Sequence, residues 1–145
     1  MAVIPSADVP QANSLNVVAD LLTLIDLGFD ETEELAARLP LASREVSYYK
    51  HAARILGFIE VENAKIKLSE EGRKILHAKT PEERKRLFAT AVKNAKVFRE
   101  LLQTTGSTIP SRSAIIEFLS RRADLSESTA GRRADTILAW LRAVS

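Results

Sequence analysis

The chain has 145 residues, 46% hydrophobic and 28% charged, which suits one compact unit or two small ones sharing a core. It has no cysteine and two histidines, His51 and His77, which excludes disulfides, cysteine zinc sites and cysteine nucleophiles and argues against a histidine-rich metal site. The net charge of +2 hides an uneven distribution: residues 1–40 hold one basic residue and seven acids, a balance of −6, so the remainder carries +8, a pattern suited to a polyanion that approaches one face.

Residues 1–13, with Pro5, Pro10 and small polar residues, are predicted to be a flexible lead-in. A first unit is predicted over 14–78. Ser14 caps a helix that ends before Gly28, with Leu15, Val18, Leu22 and Ile25 at helical spacing. Asp30 followed by Glu33 resembles a capping box and predicts a second helix to about Leu39, stopped by Pro40. Ser43 is the expected cap of a third helix. Its Val46, Tyr49, Ala53 and Leu56 share one face, and Gly57 ends it.

The period then changes. Phe58 to Val61 is a short apolar run, Glu62-Asn63-Ala64 a turn, and Lys65 to Leu68 alternates polar and apolar, so a β-hairpin is predicted. Ser69 opens a further helix containing Arg73, Ile75 and Leu76.

A helical second part is predicted over 79–145, packed on the same core. Thr80-Pro81-Glu82-Glu83 combines a capping threonine, a proline at the first helical position and a glutamate three residues after the cap. One long helix is expected from there to about Gln103, with Leu87, Ala91, Ala95, Phe98 and Leu102 as its apolar stripe. A loop at Gly106 and Pro110 precedes a helix over 111–122. Ser126 caps the last helix, where Ala130, Ala134, Ile137 and Leu141 are buried beside Trp140. The last two helices can form a second helix-turn-helix-like unit.

No stretch offers the ~18 consecutive apolar residues of a membrane helix. The start, MAVIPSADVPQ, has neither the basic nor the apolar region of a signal peptide, so a cytoplasmic protein without membrane contact is expected. Catalysis is not expected, because there is no phosphate-cradling glycine loop, metal motif or nucleophile elbow, and no cofactor is predicted.

Two constellations point to nucleic acid. On the third helix, Arg44, Ser47, Tyr48 and His51 lie opposite the apolar face, with Lys50 and Arg54 on the flank. Arginine forks onto guanine, serine, tyrosine and histidine reach base edges or phosphates, and flanking cations suit phosphates. An ordinary solvated helix face has the same polarity, so the following hairpin, with Lys65 and Lys67, adds weight to the reading. Edge-strand lysines also serve simply to blunt a sheet edge. The second constellation is Ser126 to Arg133, where a helix N-terminus carries Ser128, Thr129, Arg132 and Arg133. Here the alternative is that the arginines pair with Asp124, Glu127 or Asp135.

A helix with an exposed basic stripe followed at once by a hairpin is the layout of a winged helix-turn-helix. The segments SYYKHAARILG (47–57), LSEEGR (68–73) and LSESTAGRRADTILAW (125–140) resemble the winged-helix modules attached to bacterial restriction-modification and related DNA-processing proteins. The "AA-x-x-LG" then "L-S-x-x-G" pattern is also similar to the C-terminal domain of some ABC-transporter ATPase subunits. The first resemblance implies double-stranded DNA binding beside an enzyme subunit, with 43–56 as recognition helix and the hairpin as wing. The second implies a regulatory protein-interaction module that need not bind DNA.

Overall fold

The computed structural model describes residues 3–145. The fold is mostly helical. Its elements are α1 (Leu15–Asp26), α2 (Thr32–Arg38), α3 (Ser43–Ile55), the strands β1 (Ile59–Glu62) and β2 (Lys65–Leu68), then α4 (Glu70–His77), α5 (Pro81–Asn94), α6 (Lys96–Thr105), α7 (Arg112–Arg122) and α8 (Glu127–Ala143).

Helix starts follow local chemistry. The hydroxyls of Ser14, Ser69, Thr80, Ser111 and Ser126 accept from the backbone N–H of Val17, Gly72, Glu83, Ala114 and Thr129. Each such cap stabilises its helix by about 1 kcal/mol. Two of the remaining three starts lie where a cap was expected and did not form. Ser43 lies inside α3; the cap is Ala42, whose N–H donates to the Glu45 carboxylate at 3.2 Å. The cap of α2 is Glu31, with no side-chain bond, and the Asp30 box does not form. Lys50 takes over there, its Nζ donating to Asp30 O at 3.2 Å and Thr32 Oγ1 at 3.0 Å.

β1 and β2 pair antiparallel with Glu62 opposite Lys65. Asn63 and Ala64 form the two-residue turn with φ of 52° and 63°, the positive pair that matches the twist of a tight hairpin. The hairpin is anchored at its base by Ser69. Its N–H donates to Phe58 O at 2.9 Å and its hydroxyl to Gly57 O at 2.5 Å. Gly72 then passes directly over the Phe58 carbonyl.

The expected helix from 81 to 103 breaks at Ala95, which is extended at φ −64°, ψ 136°. No proline or glycine causes this; the phase of the apolar residues does. Phe88, Val92 and Ala95 share a face. At about 100° per residue an unbroken helix would aim Arg99 along that same face and Val97 away from it. The break instead buries Val97, Phe98 and Leu101 and leaves Arg99 exposed.

Residues 3–13 are not a loose lead-in. They form a strap along α8. Ile4 N–H donates to Arg122 O at 2.6 Å, and Ile4 and Val9 are 0% and 2% exposed. Trp140 Nε1 donates to Ala12 O at 2.7 Å, Thr136 Oγ1 to Asn13 Oδ1 at 2.6 Å, and Arg133 Nη1 to Ser6 O and Val9 O at 3.0 and 2.8 Å. The partners of Arg133, Thr136 and Trp140 lie over 120 residues away in sequence, which is why local composition misreads the segment.

The buried residues from the strap to α8 form one cluster. Phe58 meets Phe88 edge-on at 5.4 Å, joining the hairpin base to α5, and Phe98 stacks on Trp140 at 5.4 Å. Such pairs add about 1 kcal/mol each beyond area burial. Among the described residues no helix is long and apolar enough to cross a membrane.

Candidate nucleic-acid interface

α3 buries Val46, Tyr49, Ala52 and Ala53, and Tyr49 Oη accepts from Ser14 N–H at 3.2 Å, fixing α3 to the start of α1. The opposite face therefore points outward. Arg44, Ser47, His51 and Arg54 are exposed there, with Tyr48 half-buried. Neither Arg44 nor Arg54 has a hydrogen bond or ion pair with the described residues. Ser47 Oγ donates weakly to Ser43 O at 3.5 Å, which leaves its lone pairs outward.

The His51 pKa is held below its ordinary value of 6.5, first by desolvation and then by the guanidinium charges of Arg54 and Arg133. A neutral imidazole offers both a donor and an acceptor to a base edge.

Several of the expected cations are engaged elsewhere. Lys50 is half-buried and ties α3 to the start of α2. Lys67 pairs with Glu62 across the hairpin and with Glu60 at 3.9 Å. That pairing raises the Lys67 pKa and lowers that of Glu62. Lys65 is exposed with no such partner. The hairpin's two lysines and two glutamates thus cancel. Arg133, expected on phosphates, is 9% exposed and anchors the strap through the carbonyls of Ser6 and Val9. The alternative pairing of Arg132 or Arg133 with Asp135 does not form either, because Asp135 accepts from Arg112 Nε at 2.7 Å.

α7 and α8 pack on each other, and Gly131 marks a close approach there: a Cβ would lie 3.1 Å from Arg112 Nη2. The packing places the start of α8 beside the start of α3. Arg44 and Tyr48 of α3, Thr129, Arg132 and Arg133 of α8, and Gln11 of the strap line one cleft of about 530 Å³. Arg132 stands at its edge, exposed, with Nη2 donating to Thr129 Oγ1 at 3.3 Å. The two constellations that are separate in sequence therefore form one continuous face. Gln11 was not legible as part of it, because nothing in the local sequence brings the strap to α8.

Among the described residues no group of three or more His, Asp and Glu could hold a metal ion. What the fold and the face define is a small helical protein with a three-helix-plus-hairpin unit and a cationic face that a second helix pair completes. Residues 17–144 match the model of a domain of unknown function, DUF7226, and the chain belongs to that family. No curated protein and no solved structure matches it.

Proposed function

We propose that this protein binds double-stranded DNA, with α1–α3 and the hairpin working as a winged helix-turn-helix. α3 is the recognition helix. Arg44, Ser47 and His51 meet base edges in the major groove, while Arg54, Lys65 and Arg132 meet phosphates. The observation that carries this reading is the pair of unpartnered arginines on the exposed face of α3, continued by Arg132 across the cleft. A protein-docking face would be apolar. Between residues 44 and 67 the single large exposed hydrophobic residue among those described is Val61. The hairpin is a minor contributor, because Lys67 is neutralised by Glu60 and Glu62. The role that fits is an accessory or regulatory subunit in a cytoplasmic bacterial DNA-processing or restriction system, without catalysis of its own.

The test is fluorescence anisotropy with a random duplex of about 25 base pairs, a little over two helical turns. Micromolar, salt-sensitive binding is expected, as for sequence-independent contacts, with a weaker complex for Arg54→Ala and relaxed sequence preference for Arg44→Ala. Absence of binding at low salt, or binding untouched by both substitutions, overturns the reading.

A further inference from the structure

The cleft between α3 and α8 has a charge balance that the chain leaves open. Three guanidinium groups line it, from Arg44, Arg132 and Arg133, and no Asp or Glu does. Arg44 is unpartnered, Arg132 bonds only to the neutral Thr129 hydroxyl, and Arg133 bonds only to neutral carbonyls. Asp135, three residues on from Arg132 along the same helix, is held by Arg112.

Arg133 is the sharper observation. Its Nη1 serves both strap carbonyls, and Nε and Nη2 have no partner. Among the described residues no fully buried side-chain nitrogen or oxygen lacks a partner. The two free nitrogens of this nine-tenths-buried arginine therefore each keep some contact with solvent, and the cleft is a space that Arg133 lines. A guanidinium fixed by its far edge, with the other edge presented, is preorganised for a tetrahedral oxyanion. Arg44 and Arg132, both exposed, add two further forks to the lining, and Tyr48, Thr129 and Gln11 supply neutral donors. Desolvation keeps the Arg133 pKa below its ordinary value, and an anion in the cleft would reverse that cost.

We propose that this cleft is a phosphate-binding site. The group it recognises is carried either by a nucleic-acid backbone or by a soluble phosphate ester. The first source rests on the DNA reading above; the second does not.

The probe is inorganic pyrophosphate, titrated calorimetrically into the full chain at fixed ionic strength. One molecule per chain is expected to bind. Arg132→Ala and Arg44→Ala, both at exposed positions that leave the strap intact, are each expected to weaken it about tenfold, the weight of one charge-assisted contact. Arg54→Ala, outside the cleft, is expected to leave it unchanged. Pyrophosphate that competes with the labelled duplex assigns the site to the DNA backbone. Pyrophosphate binding without competition, or with no duplex binding at all, assigns it to a soluble ester and leaves the cleft proposal standing. Pyrophosphate that fails to bind, or binds both cleft variants as well as the native chain, overturns the proposal. Duplex binding that still depends on Arg54 would survive that outcome.

Discussion

Gly72→Ala puts two principles in direct opposition. Position 72 lies in the first turn of α4, where alanine is the better helix former by about 1 kcal/mol. Propensity alone therefore predicts stabilisation. Packing predicts the reverse. The added methyl would stand 2.2 Å from Phe58 O and 3.1 Å from its carbonyl carbon. Carbon and oxygen approach no closer than about 3.3 Å, so α4 and the hairpin base must separate by roughly 1 Å. Neither side is a flexible side chain that can step aside.

The bonds that fix this seat are Ser69 N–H to Phe58 O and Ser69 Oγ to Gly57 O. Losing both costs about 2 kcal/mol, and the residual overpacking about 2 more. Set against the propensity gain of about 1, the net is a destabilisation of roughly 3 kcal/mol. For a chain of this length that lowers Tm by roughly 9 °C. Thermal and urea unfolding followed by circular dichroism measures it. A variant as stable as the native chain, or more so, would refute the claim that Gly72 is there for close approach. Retained stability would also release the "L-S-x-x-G" segment from its structural explanation as a hairpin anchor.

Three further outcomes are expected. Under the DNA reading, the three phosphate-facing cations Arg54, Lys65 and Arg132 give a log–log salt slope of about −2.7, so affinity falls about 40-fold between roughly 50 and 200 mM salt. Arg132→Ala should reduce that slope by about 0.9 while Lys67→Ala leaves it alone, and an Arg132→Ala slope equal to the native one counts against the interface. For His51, whose folded pKa lies below its ordinary 6.5, the unfolded chain takes up the proton first as pH falls. Stability should therefore hold above pH 6.5 and decline below it, whereas DNA binding, which puts the imidazole in the negative potential of the groove, should tighten over the same range. His51→Gln should remove both dependences, which titrations of unfolding and of anisotropy against pH would reveal. Ile4→Ala should cost about 2 kcal/mol, the low end for a buried isoleucine because a terminal strap can fray. It should also shift the Trp140 emission to the red, and a value near zero would restore the loose lead-in.

The parts of the fold that a reader of the sequence can see are those decided within one helical turn. The hydroxyl caps at Ser14, Thr80 and Ser126 were legible because capping is a contact over three residues. The hairpin was legible because its period changes from helical to alternating. The break at Ala95 was legible in principle, since an unbroken helix would turn Arg99 into the core, but no proline or glycine advertises it. Phase outweighs propensity at that point.

The candidate site was legible only in halves. Arg44, Ser47 and His51 follow from the periodicity of α3, and Arg132 from that of α8. Which of the arginines stay free does not follow, because it depends on distant partners. Arg133 lies on the shoulder of the apolar stripe of α8, so its burial was half-visible, yet an arginine goes inside only where acceptors wait. Those acceptors are the carbonyls of Ser6 and Val9, on a segment whose composition suggests disorder. The strap thus does two things with one side chain. It satisfies one edge of the Arg133 guanidinium and leaves the other unpartnered, which turns a stability contact into a fixed positive charge beside Arg44 and Arg132.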